Sequence, residues 1–163
     1  MKIYLIGMPL SGKTTIGKAL AKKINYKHLD LDEFIEKENA VSIFKLLTED
    51  QEKTFRNLET KALKTLVNSS KIVISTGGGI IEKKQNKLLM EGVIVFLDVP
   101  LETLKSRENI ATKRPLLTKT TLAELYKKRI KKYYEFADLV IKETEKEVVI
   151  RKIITKLKEE GYL

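Results

Sequence analysis

One run near the start of the chain has the residue types and spacing of a phosphate cradle. Gly7-Met8-Pro9-Leu10-Ser11-Gly12-Lys13-Thr14 fits G-x-x-x-x-G-K-[ST], the P-loop pattern. The glycines let backbone N–H groups turn inward around an anion. A helix starting there would aim its free N–H groups and positive dipole end at the same charge. Lys13 adds a point charge at the β- and γ-phosphates, and the Thr14 hydroxyl can ligand Mg2+. The flanks supply the context that the motif needs. Lys2-Ile3-Tyr4-Leu5-Ile6 is an apolar run of strand length, and Thr15 to Ala21 reads as helix. The pattern predicts a nucleoside triphosphate site.

Further residues of chemical character come later. Asp30 and Asp32 end an alternating stretch from Tyr26 that suits a short strand, and an extended backbone would put both carboxylates on one face. There they would face Mg2+ and an acceptor hydroxyl. Capping of the helix that begins at Glu33 is the other reading of Asp32, and it accounts for one aspartate rather than two. Gly77-Gly78-Gly79 follow an apolar strand, Lys71 to Ser75. Three consecutive glycines cost conformational entropy, and close approach of a ligand to the backbone explains them better than a plain loop. Arg56 lies beside a helical stripe of Phe55, Leu58, Ala62, Leu63 and Leu66. It is either an exposed partner of Glu52 or Glu59, or a planar clamp for a substrate carboxylate. Lys113-Arg114-Pro115-Leu116-Leu117 sits in a stretch, about 108–120, that loses the apolar period. That stretch is a candidate lid, with Arg114 either set on a transferring phosphoryl group or an ordinary surface arginine. His28 is the one histidine; it has no partner at a telling spacing and reads as structural.

The elements that must position these residues follow from periodicity. Residues 40–68 read as helical throughout, with Ser42 as a cap. Glu82 onwards reads as helix and Gly92 to Asp98 as a core strand. Pro100 opens a helix carrying Leu101, Leu104 and Arg107. Residues 121–136 read as a helix with Arg129 and Tyr133, and Asp138 to Ile141 as the last strand. Glu147 to Glu160 is the closing helix, with Gly161 as its stop. Five strands alternating with helices predict a doubly wound α/β fold with a parallel sheet. Ligands in such folds sit at the carboxyl ends of the strands. The P-loop, the two aspartates and the triple glycine each follow a strand, so one shared site is expected.

Composition bounds the rest. A chain of 163 residues with 42% hydrophobic content predicts one globular domain, 1–163. The absence of cysteine excludes disulfides, a thiolate nucleophile and Cys-ligated zinc. No apolar run approaches the ~20 residues of a membrane span. The first residues read as a strand rather than a signal peptide, so a cytoplasmic protein is expected. The formal net charge is +10, but the lysines are spread over many helical stretches and aromatics are few. That pattern favours a solvated surface and anionic substrates over a nucleic-acid site.

The ordered set Leu29-Asp30-Leu31-Asp32, Phe55-Arg56 with Glu59, Ser75-Thr76-Gly77-Gly78-Gly79, Arg114-Pro115-Leu116-Leu117, and Arg129 with Tyr133 and Ala137 resembles the shikimate kinases in order and spacing. The resemblance runs from Lys2 to the closing helix. It implies the nucleoside-monophosphate-kinase-like P-loop fold: three layers, α/β/α, with strand order 2-3-1-4-5. It implies Mg2+-dependent transfer of the ATP γ-phosphoryl group to the 3-hydroxyl of shikimate, in aromatic amino-acid synthesis. The implied partners are ATP and shikimate, without nucleic acid or membrane, and the implied state is a monomer. By position, Gly7 to Thr15 with Arg107 and Arg114 match the ATP side, Arg107 stacking on adenine. Lys13 and Arg114 would stabilise the transferring phosphoryl group. Asp32 would contact ring hydroxyls and act as general base, in a substrate region of about 32–60. Arg56 and Arg129 would hold the carboxylate, with Gly77, Gly78 and Gly79 shaping that wall. Thr14 and Asp30 match the Mg2+ side, Asp30 through water. Three departures stand out. Leu10 replaces a frequent glycine, an aromatic near Leu47 is absent, and Glu143 to Lys146 lacks the proline and basic residue of some relatives. The alternatives are a gluconate-kinase-like enzyme of the same fold and a basic nucleic-acid-binding P-loop protein.

Overall fold

The structure is a computed structural model and describes residues 1–108 and 120–163; Arg114 and most of the expected lid lie outside the described residues. Strand β1 (Lys2–Ile6) feeds two cores at once. Tyr4 and Ile6 enter one, Ile3 and Leu5 the other, and all four are fully buried. A strand buried on both faces belongs in the middle of a sheet covered on both sides. β1 pairs in parallel with β3 (Ile72–Ser75) and β4 (Val93–Leu97), while β2 (Lys27–Asp30) and β5 (Leu139–Ile141) form the edges. The order is 2-3-1-4-5, as the resemblance implied.

Eight α-helices lie among the described residues. They are α1 (Lys13–Ile24), α2 (Leu31–Asn39), α3 (Ile43–Thr48), α4 (Glu52–Thr65), α5 (Gln85–Leu89), α6 (Leu101–Glu108), α7 (Leu122–Phe136) and α8 (Lys146–Glu159). On one face α1 and α8 bury Ile16, Leu20, Val149, Ile153 and Leu157 against Ile3, Leu5 and Val95. On the other, α2, α4 and α7 bury Ile35, Phe55, Leu63, Leu125 and Phe136 against Tyr4, Ile74 and Phe96. The 3–4 residue spacing of these side chains is the helical period, and the sheet supplies the complementary period of two.

Three local expectations change. β2 stops at Asp30 and α2 starts at Leu31, so Asp30 is the helix N-cap, its Oδ1 accepting from Glu33 N at 3.1 Å. Asp32 lies in the first helical turn rather than on an extended strand. The stretch 40–68 is two helices, not one. Ser42 does cap α3, but the chain reverses at Asp50 (φ 56°) before α4 begins. Periodicity ran across the break because Leu46, Leu47 and Phe55 all enter the same core. Beyond the triple glycine, Ile80–Glu82 is a single 3-10 turn and helix resumes only at Gln85.

His28 is structural, as expected. Ser75 Oγ donates to Lys13 O at 2.7 Å and so accepts from His28 Nε2 at 2.9 Å, tying β2 and β3 to the start of α1. Gly17 of α1 lies against this pair. A Cβ there would collide with Ser75 Oγ and sit 2.7 Å from His28 Nε2. Helix propensity alone favours Gly17→Ala by roughly 0.5–1 kcal/mol. The clash wins: the substitution should destabilise the fold by a net ~1–3 kcal/mol in urea denaturation. A more stable Gly17→Ala protein would contradict this packing.

Candidate active site

The P-loop is held from several sides. Gly12, in the left-handed region at φ 91°, is the N-cap of α1, and Ile16 N donates to its carbonyl at 2.9 Å. Lys13 is almost fully buried; its Nζ donates to Gly7 O and Met8 O, both at 2.8 Å, across the mouth of the loop. Leu10 also sits in the left-handed region, at φ 71°. That conformation costs a residue with a Cβ about 1–2 kcal/mol. It is held by Arg107, whose Nη1 donates to Leu10 O at 2.8 Å, and by contact of the Leu10 side chain with the core. Arg107 thus pins the crest of the loop from α6.

A cavity of about 590 Å3 opens from this loop. One end reaches Asp30, Asp32, Gly77 and Gly78; the other reaches Arg107, Glu143 and Thr144. All lie beyond the carboxyl ends of the parallel strands, where an open α/β sheet leaves its crevice. Thr14 Oγ1 donates to Asp30 Oδ2 at 2.7 Å, so the first residue past the P-loop lysine touches the first aspartate.

At the far side of Asp32, charged side chains converge on the triple glycine. The Arg56 guanidinium lies so close to Gly79 that any Cβ there would overlap it. A Cβ at Gly77 would stand 2.9 Å from Asp32 Oδ1 and 3.2 Å from Glu59 Oε2. One at Gly78 would stand 3.2 Å from Arg129 Nη1 and 3.0 Å from Pro9 Cδ. Tyr133 OH donates to Gly78 O at 2.6 Å, fastening α7 to the same backbone. The close approach expected of a ligand is therefore already made by the protein's own side chains. Arg56 pairs with both glutamates that its sequence context offered, but buried rather than exposed. It is 6% exposed, and its Nη1 donates to Glu59 Oε1 at 2.8 Å and its Nη2 to Glu52 Oε1 at 3.1 Å, over the Phe55 ring.

Burial sets the proton affinities here. It pushes the Asp32 carboxyl up to about 6, with Asp30 adding to the rise and Lys13 and Arg56 opposing it. It pushes Glu59 up to about 7, because desolvation outweighs the pull of Arg56. Asp32 Oδ1, Glu59 Oε2, Arg56 Nε and Arg129 Nε are buried without a hydrogen-bond partner among the described residues. An unsatisfied buried polar group costs ~1–3 kcal/mol, and a cluster of them beside a cavity suits a polar, hydroxyl- and carboxylate-bearing ligand.

Residues 9–158 match the profile of the family described as shikimate kinase. The shikimate kinase of Persephonella marina is 41% identical over 85% of this chain and 87% of its own. The chain belongs to the shikimate kinase family. Solved shikimate kinases agree in fold. That of Bacteroides thetaiotaomicron superposes with TM-score 0.84 at 33% identity, covering all of this chain and 99% of its own. That of Acinetobacter baumannii, in complex with shikimate, gives TM-score 0.83 at 28% identity over 99% of this chain and 95% of its own.

For a shikimate kinase, the placement of the expected residues is as follows. Pro9 to Thr15, Asp30, Asp32, Gly77 and Gly78 line one cavity; Gly7 and Met8 lead into its P-loop, and Arg56, Gly79 and Arg129 lie behind it, with Arg56 against Gly79 and Arg129 against Gly78. Arg107 joins them at the opposite end, beside Glu143 and Thr144. Arg114 lies outside the described residues. Among the described residues no three acidic or histidine side chains cluster to cage a metal. The touching Thr14 hydroxyl and Asp30 carboxylate nonetheless fit Mg2+, which keeps most of its waters and takes one or two hard protein oxygens plus phosphates. Sequence reading gave Glu59 only as a partner of Arg56, not as a buried wall residue, and passed over Glu82. Glu59 follows Phe55 by four residues and precedes Leu63 by four, so its place on the buried face was readable. Glu82 carries no local signal.

Raised carboxyl pKa values fix the sign of a stability effect. A group bound more tightly to its proton in the folded state stabilises at low pH. Its contribution is lost as pH rises through about 6 for Asp32 and about 7 for Glu59. Asp32→Asn should therefore stabilise the fold at about pH 8, by roughly 1–3 kcal/mol, and change little near pH 4. Urea denaturation at both pH values checks this; equal shifts at the two would count against a buried, ionised Asp32.

Proposed function

We propose that this shikimate kinase family member transfers the γ-phosphoryl group of ATP to the 3-hydroxyl of shikimate, giving shikimate 3-phosphate and ADP. The carrying observation is the junction of two half-sites. A P-loop at a helix N-terminus and Asp32 line one cavity, and two buried arginines, Arg56 and Arg129, lie against the glycines of its wall. The bond formed joins the shikimate 3-oxygen to Pγ, and the bond broken joins Pγ to the β,γ-bridging oxygen, whose electrons leave with ADP. Phosphoryl transfer of this kind depends on positioning and charge neutralisation more than on a strong base.

The chain's residues divide the work. The P-loop N–H groups from Gly7 to Thr15 cradle the phosphates, and Lys13 swings from the carbonyls of Gly7 and Met8 onto them. Asp32 accepts the proton of the 3-hydroxyl. A pKa of about 6 makes it a stronger base than an ordinary aspartate while leaving it ionised at neutral pH. Arg56 and Arg129 hold the shikimate carboxylate, the planar forks matching its two oxygens. Glu59 and Glu52 fix the Arg56 fork in place. Thr14 and Asp30 would hold Mg2+, Asp30 through water, and the ion would neutralise phosphate charge during transfer. Arg107, Glu143 and Thr144 face the nucleobase end. Arg114, outside the described residues, is the second cation that the family pattern assigns to the transferring phosphoryl group.

We further read residues 1–163 as a single catalytic domain acting as a cytoplasmic monomer without nucleic acid. Among the described residues no helix is long and apolar enough to cross a membrane. The proposed residues all come from one chain.

An ADP-release assay with shikimate, gluconate and nucleoside monophosphates tests the reading. Shikimate should be the preferred acceptor, and turnover of gluconate without turnover of shikimate would overturn the proposal. Within that assay, Asp32→Asn should lower kcat about 100-fold or more with the KM for ATP nearly unchanged. Arg129→Ala should raise the KM for shikimate ~10–100-fold, the scale of a lost charge-assisted hydrogen bond. An unchanged shikimate KM would make Arg129 a structural residue only.

A further inference from the structure

Arg129 and Arg56 are both buried arginines on the glycine wall, but their charge partners differ. Arg56 makes two hydrogen-bonded ion pairs, to Glu59 and Glu52, so two carboxylates answer its one charge. Arg129 is 2% exposed, and among the described residues it has one carboxylate within ion-pair distance. That carboxylate is Glu82, at the end of the 3-10 turn that leaves Gly79. Glu82 Oε1 stands 3.4 Å from Arg129 Nε, with neither atom in a geometric hydrogen bond. Its other oxygen, Oε2, is 3.6 Å from Lys128 Nζ and 3.8 Å from Lys132 Nζ. Three cations therefore share one carboxylate.

The arrangement has a directional consequence. The Nε edge of Arg129 faces Glu82, and its Nη1 lies against Gly78, a residue that lines the cavity. Glu82 stands at one edge of the fork, and the same guanidinium is also hydrogen-bonded to the Tyr133 hydroxyl. Lys128 and Lys132 draw on the same negative charge, so Arg129 is aimed without being neutralised. A carboxylate held by Arg129 alone would quench the charge that an anionic acceptor needs.

We propose that Glu82 is a positioning residue: it directs Arg129 into the acceptor cavity, while Lys128 and Lys132 keep it from cancelling the arginine's charge. The proposal rests on the reading of Arg129 as a shikimate carboxylate ligand. It separates from a plain charge-balancing role for Glu82 by the sign of one effect. Were Glu82 only a counter-ion, removing it would strengthen the field on an anionic acceptor and lower its KM. As a positioning residue its removal lets the fork turn, and KM rises.

The test uses the full chain. Glu82→Ala should raise the KM for shikimate ~10-fold, the scale of one misdirected charge-assisted hydrogen bond. Its kcat and KM for ATP should stay within about twofold, since the P-loop and Asp32 are untouched. Glu82→Gln keeps the side-chain shape and an acceptor oxygen for Nε–H, and should recover much of the lost affinity. In an Arg129→Ala background Glu82→Ala should add no further rise, because the residue through which it acts is gone. A second readout needs no acceptor. In protein labelled with 15N-arginine, the Arg129 Nε–H resonance, identified by its loss in Arg129→Ala, should move in Glu82→Ala. An unchanged or lowered shikimate KM in folded Glu82→Ala, or additive rises in the double variant, overturns the proposal. So does an unmoved Nε–H resonance. Failure of the parent protein to turn over shikimate, with the resonance still moving, would instead remove the functional reading and leave the Glu82–Arg129 coupling in place.

Discussion

The active-site wall depends on charged side chains lying directly on backbone at Gly77 to Gly79. Asp32, Glu59, Arg56 and Arg129 approach these three residues at distances that leave little or no room for a Cβ. The reason is electrostatic. Removing a charge from water is expensive, and opposite charges offset that cost only when they are close and well oriented. A side chain at any of the three positions would push the charges apart and admit disorder where the acceptor must be held to a fraction of an ångström. The wall can be this polar because glycine makes it this thin.

The same strand end fixes both halves of the site. β3 finishes at Ser75, whose hydroxyl holds the Lys13 carbonyl at the start of α1. Thr76 then bonds twice to Leu5 O, through its N–H at 3.1 Å and its hydroxyl at 2.9 Å, locking the strand end to β1 just before the P-loop. Gly77 begins the wall proposed for the acceptor at the next residue. Phosphate cradle and glycine wall are therefore within a few bonds of one anchored point, so their separation is a property of the sheet rather than of loops. Arg107 adds a tether from α6 to the left-handed Leu10, holding the loop crest in a conformation that its own side chain disfavours. Preorganisation of this kind is what phosphoryl transfer requires of a protein.

Function and stability pull against each other at the buried carboxylates. Asp32 and Glu59 are both kept where burial favours their protonated forms, although neutral pH ionises Asp32. Two nearby carboxyl groups raised by burial, with oxygens unsatisfied, are a cost to the fold that an acceptor rich in hydroxyls can relieve. The arginines of the wall show two solutions to the complementary problem. Arg56 is paired with two carboxylates, and Arg129 lies beside one that it shares with Lys128 and Lys132.

The P-loop, the five strands and the family were legible in the sequence because their signals are local. A fixed spacing of Gly, Lys and Thr demands one backbone path, and periods of 2 and 3.6 reveal which faces are buried. The same locality explains what was not legible. Asp30 and Asp32 were expected on one extended face, with Asp32 the candidate cap, but the chain turns from strand to helix between them, so Asp30 caps the helix and touches Thr14 while Asp32 lies against Gly77. Helical period ran through Asp50 because both flanking helices serve one core. Glu82 shows no pattern with residues 128–132, more than forty positions away, until the 3-10 turn and α7 meet. The sequence by itself determined which backbone would hold phosphate and which sheet would carry it. Only the tertiary structure decided which charges share a buried wall, because burial and charge pairing depend on distances in space that residue spacing does not encode.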